Sequence, residues 1–163
     1  MQKLDLSIYQ KNFYLEWRMD PDSTNYNINL HFEIDGSLSV TSLKKSIQEF
    51  VNDYQTQRTY FIEEQDQMKQ VIVDKIDIQV DEHDLSGINS KKVKKQKIDN
   101  ILDGVFKHKF NLNKLPLFCY SLIKLGKEKF VFVCSWHHII ADGQFCDDFI
   151  NYISGKYNQL HCG

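Results

Sequence analysis

The sequence is poor in residues that break or loosen a chain. Only two of its 163 residues are proline and seven are glycine, so no stretch has the composition of a flexible interdomain linker. Hydrophobic residues make up 42% and aromatic residues 13%, which is enough apolar material for one sizeable core. We therefore expect a single domain over residues 1–163.

The four cysteines are scattered and form no Cys-x-x-Cys pair. Cys119 and Cys134 lie in apolar runs, where a reduced thiol packs as a small hydrophobic group. The other two are Cys146 and Cys162. This spacing predicts no disulfide framework.

Two further absences bear on location. No apolar run approaches the roughly 20 residues that span a bilayer. The first residues include Asp5 and Lys11 within a short mixed segment, unlike a signal peptide. We expect a cytoplasmic protein with no membrane partner.

The sequence also lacks an excess of either charge. Its 20 basic and 22 acidic residues give a net charge of −2, so no overall field attracts nucleic acid or anionic lipid. Lysines cluster between positions 91 and 97, but Asp99 and Asp103 follow closely. We interpret this cluster as the solvated face of a helix and expect no nucleic-acid partner.

Hydrophobic periodicity predicts a mixture of helices and strands. Helical spacing covers residues 4–17, with Ser7 as the cap. It also covers residues 43–54, with Ser39 or Thr41 as the cap. The same spacing recurs over residues 91–110 and after Gly143. The clearest strand covers residues 26–34, where apolar and polar residues alternate. Further strands are predicted at 56–62, 67–73 and 76–80, and a hairpin at 115–123 and 129–135.

The most informative stretch is Val131–Gly143, in which a buried-type strand runs into His137-His138 and then Asp142-Gly143. Two adjacent histidines are poor core residues, because each neutral ring has two nitrogens that need partners when buried. Side chains of adjacent residues at a strand end point in opposite directions, so one histidine at a time faces a substrate. This pattern favours a functional loop.

Residues 137–143 read as His-His-x-x-x-Asp-Gly, which resembles the signature of the CoA-dependent acyltransferase superfamily, and in particular of nonribosomal peptide synthetase condensation domains. Three more segments are similar to family motifs and occur in the family's order. Ser7-x-x-Gln10 followed by Tyr14 resembles the opening motif, although Tyr9 replaces its alanine and Asn12 its arginine. The other two are Arg58-Thr59-Tyr60-Phe61 and the pair Phe110-Asn111-Leu112 with Pro116-Leu117.

The resemblance implies a fold and a set of partners. The fold is an α/β two-layer sandwich similar to chloramphenicol acetyltransferase, with a mixed sheet and helices packed on one face. Only the N-terminal half of a condensation domain is matched, so we expect an N-terminal lobe without its C-terminal lobe. A bare inter-lobe face predicts an exposed apolar patch and self-association. The implied partners are donor and acceptor peptidyl carrier proteins, whose phosphopantetheine arms carry the substrates; no cofactor is bound directly.

The resemblance also assigns roles to residues. His138 is the catalytic residue, as base or positioning group for the attacking amine, and His137 provides a supporting hydrogen bond. Asp142 pairs with Arg58 in a bidentate tie that fixes the loop, in preference to orienting His138 as part of a triad. Gly143 allows close backbone approach or a positive φ where the next helix begins.

Several other hypotheses remain at this point. A zinc site built from Cys134, His137, His138 and Cys146 is disfavoured because adjacent histidines diverge. A hydrolase triad of Ser135, His138 and Asp142 lacks the Gly-x-Ser-x-Gly elbow. Cys146 near a helix start could be a nucleophile with a lowered pKa, although an apolar helix position is the commoner explanation. Within the superfamily, an epimerisation domain, another CoA-dependent acyltransferase and a non-catalytic docking lobe stay open.

Overall fold

The structure is a computed structural model that describes residues 1–162. Its elements follow one another in a mixed α and β order, as the periodicity predicts. In chain order they are β1 (Gln2–Asp5), α1 (Ile8–Met19), β2 (Asn27–Asp35), α2 (Val40–Asp53), a 3-10 turn (Gln55–Arg58), β3 (Thr59–Glu64), β4 (Gln67–Ile72), β5 (Val80–Asp84), α3 (Lys91–Phe106), β6 (Phe118–Gly126), β7 (Lys129–His137) and α4 (Gly143–Cys162).

The strands form two sheets. The smaller sheet is antiparallel, with the order β1-β4-β3. The larger sheet has the order β2-β7-β6-β5, and β5 runs parallel to β6 while the other neighbours are antiparallel. The α/β class, the mixed sheet and the hairpin of β6 and β7 are therefore confirmed.

Strand β7 forms the centre of the core because both of its faces are buried. Phe132 and Trp136 on one face pack with α2 and α4, whereas Val131 and Val133 on the other face pack against α3. Helices therefore cover both faces of the larger sheet, and the expectation that they lie on one face is wrong. The physical reason is that β7 has apolar residues on both faces, and each face needs a cover.

Helix α1 begins where the sequence predicts. Ser7 accepts a hydrogen bond from the backbone N–H of Gln10, and the Gln10 side chain accepts one from the backbone N–H of Ser7. This capping box satisfies two of the free donors at the helix start. Ser39 caps α2 by accepting a hydrogen bond from the backbone N–H of Ser42, without the reciprocal bond of a capping box.

Other boundaries differ from the sequence-based predictions. Strand β1 occupies residues assigned to the start of the first helix, and residues 55–58 are a 3-10 turn rather than the start of a strand. The predicted strand 76–80 is wrong: regular pairing begins only at Val80, in β5. The Gln48 side chain donates a hydrogen bond to the carbonyl of Ile76 and accepts one from the N–H of Ile78. These two bonds replace a strand partner there.

None of the helices in residues 1–162 combines the length and the apolar character that a bilayer crossing needs. Three cysteines, Cys119, Cys134 and Cys146, are free thiols. The last helix, α4, packs on α2 through rings that include Phe50 and Phe149, whose centroids are 5.0 Å apart. This contact holds α4 against the core and so fixes the direction in which the chain leaves β7.

Phe149 and Ile150 test this packing because they are neighbours on α4 with opposite surroundings. Phe149 is 1% exposed and contacts the rings of Phe50 and Trp136, whereas Ile150 is 37% exposed. We expect Phe149→Ala to lower the free energy of unfolding by about 3 to 5 kcal/mol, because it leaves a cavity in the core. Ile150→Ala is the matched control, with a loss below about 1 kcal/mol. Urea titration of both variants measures the difference, and equal losses would contradict the packing.

Candidate functional site

The His-His segment lies at the point where β7 leaves the sheet. The N–H of His137 donates to the carbonyl of Leu117 at 3.0 Å, and the N–H of His138 donates to the carbonyl of Tyr26 at 2.8 Å. A turn follows, and α4 begins at Gly143. Both histidines therefore have a fixed backbone, since neighbouring segments bind it at two successive residues.

His137 is buried, with 3% of its surface exposed. Its Nδ1 accepts a hydrogen bond from the N–H of Ile139 at 3.1 Å, which assigns the proton of the neutral ring to Nε2. Burial, and to a smaller extent the neighbouring His138, lowers the pKa of His137 from 6.5 to about 4. His137 is therefore neutral near pH 7 and helps to hold the turn that follows it.

His138 has the opposite environment. Its side chain is exposed and lines a groove of about 690 Å³, while His137 lines a different cavity on the other side of the loop. Its ring stacks on Phe13 of α1, with 5.1 Å between centroids and 22° between planes. The adjacent histidines thus point to different sides, as expected from the alternation along a strand.

The groove is built from three parts of the chain that are distant in sequence: the start of α1, the end of α2 with the residues after it, and the loop that leads into α4. Its polar lining contains two carboxylates, from Asp142 and Asp148, and no lysine or arginine. The full lining is Ser7, Tyr9, Gln10, Phe13, Tyr54, Thr56, His138, Ile139, Ile140, Ala141, Asp142, Gln144, Phe145 and Asp148. An exposed imidazole in such a cleft can accept a proton from a bound group or orient it.

Asp142 caps helix α4. Its Oδ1 accepts a hydrogen bond from the N–H of Phe145 at 2.8 Å, and its carbonyl accepts one from the N–H of Cys146. Among the described residues, no hydrogen bond joins this carboxylate to His138, so the triad arrangement is not present. Asp142 instead fixes the end of the loop by satisfying donors at the helix start.

The expected pair of Asp142 with Arg58 does not form, and this part of the prediction is wrong. Arg58 is 8% exposed and donates to four backbone carbonyls, those of Val51, Asn52, Val73 and Asp74. Two of these carbonyls belong to Val51 and Asn52 in the last turn of α2. Carbonyls in a last turn have no N–H donor within the helix. Arg58 therefore ties the end of α2 to the segment after β4, and it does not line the groove.

Gly143 also differs from the expectation. Its φ is not positive, and a Cβ built at this position would meet no atom within 4 Å. Neither a left-handed conformation nor a close approach within this chain requires glycine there. The space beside it is free along the loop that borders the groove.

The competing site hypotheses are disfavoured by geometry. Among the side chains that the structure describes, no group of three or more from histidine, cysteine, aspartate or glutamate is placed to hold a metal ion. Ser135 is fully buried and cannot serve a triad in the groove. Burial, Asp142 and Asp147 raise the pKa of Cys146, which is the opposite of an activated thiolate.

Sequence reasoning missed the residues that surround His138 in space. Phe13 and Tyr26 belong to α1 and to the segment before β2, and neither was singled out. The spacing of Ser7, Gln10 and Phe13 could have indicated that Phe13 lies in the groove, since residues three apart share a helix face. No local signal marks Asp148 as part of the groove.

Solved structures place this arrangement of sheets in a known class. The chain superimposes on a variant of the starter condensation domain of rhizomide synthetase with a TM-score of 0.89 at 23% identity, over 98% of this chain and 38% of that one. The first condensation domain of the CDA synthetase gives a TM-score of 0.85 at 19% identity, over 99% and 41%. The fold is thus the chloramphenicol-acetyltransferase-like fold of condensation domains.

The family follows from the sequence as well. The family model described as "Condensation domain" matches residues 1–163, and the chain belongs to that family. A component of the linear gramicidin synthase of Brevibacillus parabrevis is 28% identical over 99% of this chain, and a component of the plipastatin synthase of Bacillus subtilis is 27% identical over 97%. The chain spans only 2% and 6% of the lengths of these relatives. The resemblance found in the motifs is confirmed.

Arg58 and Asp142 provide a test of the two arrangements. We expect Arg58→Ala to lower the free energy of unfolding by about 3 kcal/mol, because buried carbonyls lose a charged donor. Asp142→Asn should change it by less than about 0.5 kcal/mol, because asparagine is an equally good cap. Urea unfolding of both variants gives the answer. A loss for Asp142→Asn as large as that for Arg58→Ala would restore the Arg–Asp pair.

The lowered pKa of His137 predicts a pH dependence of stability. Below about pH 6.5 the unfolded chain binds a proton at His137 that the folded chain does not bind until about pH 4, so stability falls as the pH falls through this window. Between pH 7 and pH 5, His137 should account for a loss of about 2 kcal/mol. His137→Gln keeps an acceptor for Ile139 but should lack this part of the slope.

Urea unfolding at the two pH values checks this prediction. His31→Ala, which removes an exposed histidine on β2, is measured beside it as the control for loss of a histidine side chain. A wild-type slope in His137→Gln would mean that His137 is not held neutral by burial.

Proposed function

We propose that the chain is the N-terminal lobe of a nonribosomal peptide synthetase condensation domain and that, together with a second lobe, it catalyses amide-bond formation. The observation that carries this proposal is the separation of the two histidines. His137 is buried and neutral, while His138 is exposed in a groove of about 690 Å³. This arrangement supports His138 as the residue that meets the substrates.

In the proposed reaction, an amine attacks the carbonyl carbon of a thioester. The new C–N bond forms as the C–S bond breaks, and nothing is oxidised or reduced. Nε2 or Nδ1 of His138 accepts the proton of the attacking amine or orients its lone pair, and the proton leaves on the departing thiol. No covalent intermediate on the chain is needed, because the acyl group arrives already activated as a thioester.

The other motif residues act as supports in this proposal. His137 holds the turn through Ile139, and Asp142 fixes the start of α4. Arg58 has a structural role at the end of α2, outside the groove. Gly143 leaves free space beside the loop, which suits the approach of a substrate or of a second lobe.

The partners follow from the same chemistry. We assign the substrates to the phosphopantetheine arms of a donor and an acceptor peptidyl carrier protein. The chain covers about 40% of solved condensation domains, and the groove is then one wall of a site completed by the second lobe. Tyr9 lines the groove and is 75% exposed, and its neighbour Ile8 is 72% exposed, so a lobe without its partner should self-associate there. A cytoplasmic location fits the three free thiols.

The test uses a two-lobe protein that contains this chain and carrier proteins loaded with acyl and aminoacyl thioesters. We expect His138→Ala to lower the rate of amide formation, followed by mass spectrometry, by at least about a hundredfold, the lower range for loss of a general base. The melting temperature should stay unchanged, because the side chain is exposed.

His31→Ala is the matched control, since it removes another exposed histidine far from the groove and should retain full activity. Retained amide formation in His138→Ala would overturn the catalytic assignment. Binding of loaded carrier protein without any product from the unmodified two-lobe protein would favour a docking lobe instead.

A further inference from the structure

The side chain of His138 has no hydrogen-bond partner of its own among the described residues, although its backbone is well fixed. Its N–H donates to the carbonyl of Tyr26, and its carbonyl accepts from the N–H of Ala141 at 3.4 Å. A base in a catalytic groove needs an oriented ring, because a small misplacement strongly reduces the rate. Something other than a hydrogen bond has to orient this one.

The ring of Phe13 is placed to do so. It stacks on the His138 imidazole, with 5.1 Å between centroids and 22° between planes, which is an offset-stacking geometry of aromatic pairs. Phe13 also lines the groove, so the stacked pair lies at the surface that a substrate contacts.

Phe13 is itself held in position by its neighbours. The ring of Tyr26 meets it edge-on at 5.1 Å and 75°, and the ring of His137 meets it edge-on at 6.4 Å and 87°. Because the carbonyl of Tyr26 also binds the N–H of His138, one residue positions both members of the stack. The capping box at Ser7 and Gln10 fixes the start of α1, from which Phe13 projects.

We propose that Phe13 is a positioning residue for His138, and that its aromatic ring, rather than its bulk, keeps the imidazole directed into the groove. The proposal rests on the catalytic role of His138 proposed above.

The test compares Phe13→Leu with Phe13→Tyr in the two-lobe protein, using the same loaded carrier proteins. Phe13→Leu should lower kcat about tenfold, because the base loses the ring that orients it, and should change KM less than about twofold, because leucine keeps an apolar side chain at the groove surface. Phe13→Tyr keeps the ring, and its kcat should stay within about twofold of that of the unmodified protein.

Phe106→Leu is the matched control. Phe106 is also half-buried and lies beside a histidine, His31, with 6.3 Å between ring centroids, but it is remote from the groove. It should lose as much stability as Phe13→Leu while keeping full kcat. If Phe13→Leu does not fold, Phe13→Met, which preserves more volume without a ring, takes its place and should show the same tenfold loss.

A readout independent of activity is the proton NMR spectrum of the His138 ring. The stacked Phe13 ring shifts these resonances upfield; in Phe13→Leu they should move towards the positions of an exposed histidine, and in Phe13→Tyr they should not. A wild-type kcat in Phe13→Leu, or a kcat in Phe13→Tyr as low as that expected for Phe13→Leu, would overturn the positioning role. If His138→Ala itself retains activity, the proposed function fails, whereas an active Phe13→Leu beside an inactive His138→Ala removes only this inference.

Discussion

The hydrogen bond from the N–H of Ile139 to Nδ1 of His137 is the contact on which the site depends. Through this bond, the buried His137 at the end of β7 holds the backbone of the loop that follows it. Because His137 is fixed inside, the alternation along the strand directs His138 to the other side, where the groove lies. The two adjacent histidines therefore have separate tasks, and only one of them is available for chemistry.

The fold holds β7 in place and brings the other groove residues to the two histidines. Strand β7 is held by β2 and β6, and its two faces are covered by different helices. Helix α1 brings Phe13 against His138, and Asp142 starts α4 on the far side of the loop. The groove therefore combines parts of the chain that are distant in sequence, and its geometry depends on the packing of the whole core. Arg58, which lies outside the groove, should therefore affect it only through stability.

Much of this architecture could be predicted from the sequence, because the strongest signals are local. The alternation in β2, the cap at Ser7 and the apolar run of β7 each follow from neighbouring residues. Strand β5 could not be predicted, since it is polar and exists only because β6 pairs with it. The segment before it looked like a strand, but the Gln48 side chain, some thirty residues away, satisfies its backbone.

The site was predictable to a similar degree. The opposite directions of His137 and His138 follow from strand geometry alone. The partner of Arg58 was predicted incorrectly: the family resemblance pairs it with Asp142, whereas in the structure it donates to free carbonyls at the end of α2. Asp142, in turn, has a nearer donor in the N–H of Phe145. In both cases a backbone group outcompetes a distant charge, and the sequence does not reveal which backbone groups remain unpaired.

Only one of the two adjacent histidines is accessible, and chemical modification of the native protein tests this most directly. Diethyl pyrocarbonate reacts with accessible neutral imidazole, and peptide mass spectrometry assigns the modified residue. His138 should react at a rate close to that of the exposed His31, while the buried His137 should stay unmodified until the chain unfolds. Equal reaction of His137 and His138 in the native protein, or protection of His138, would contradict the account.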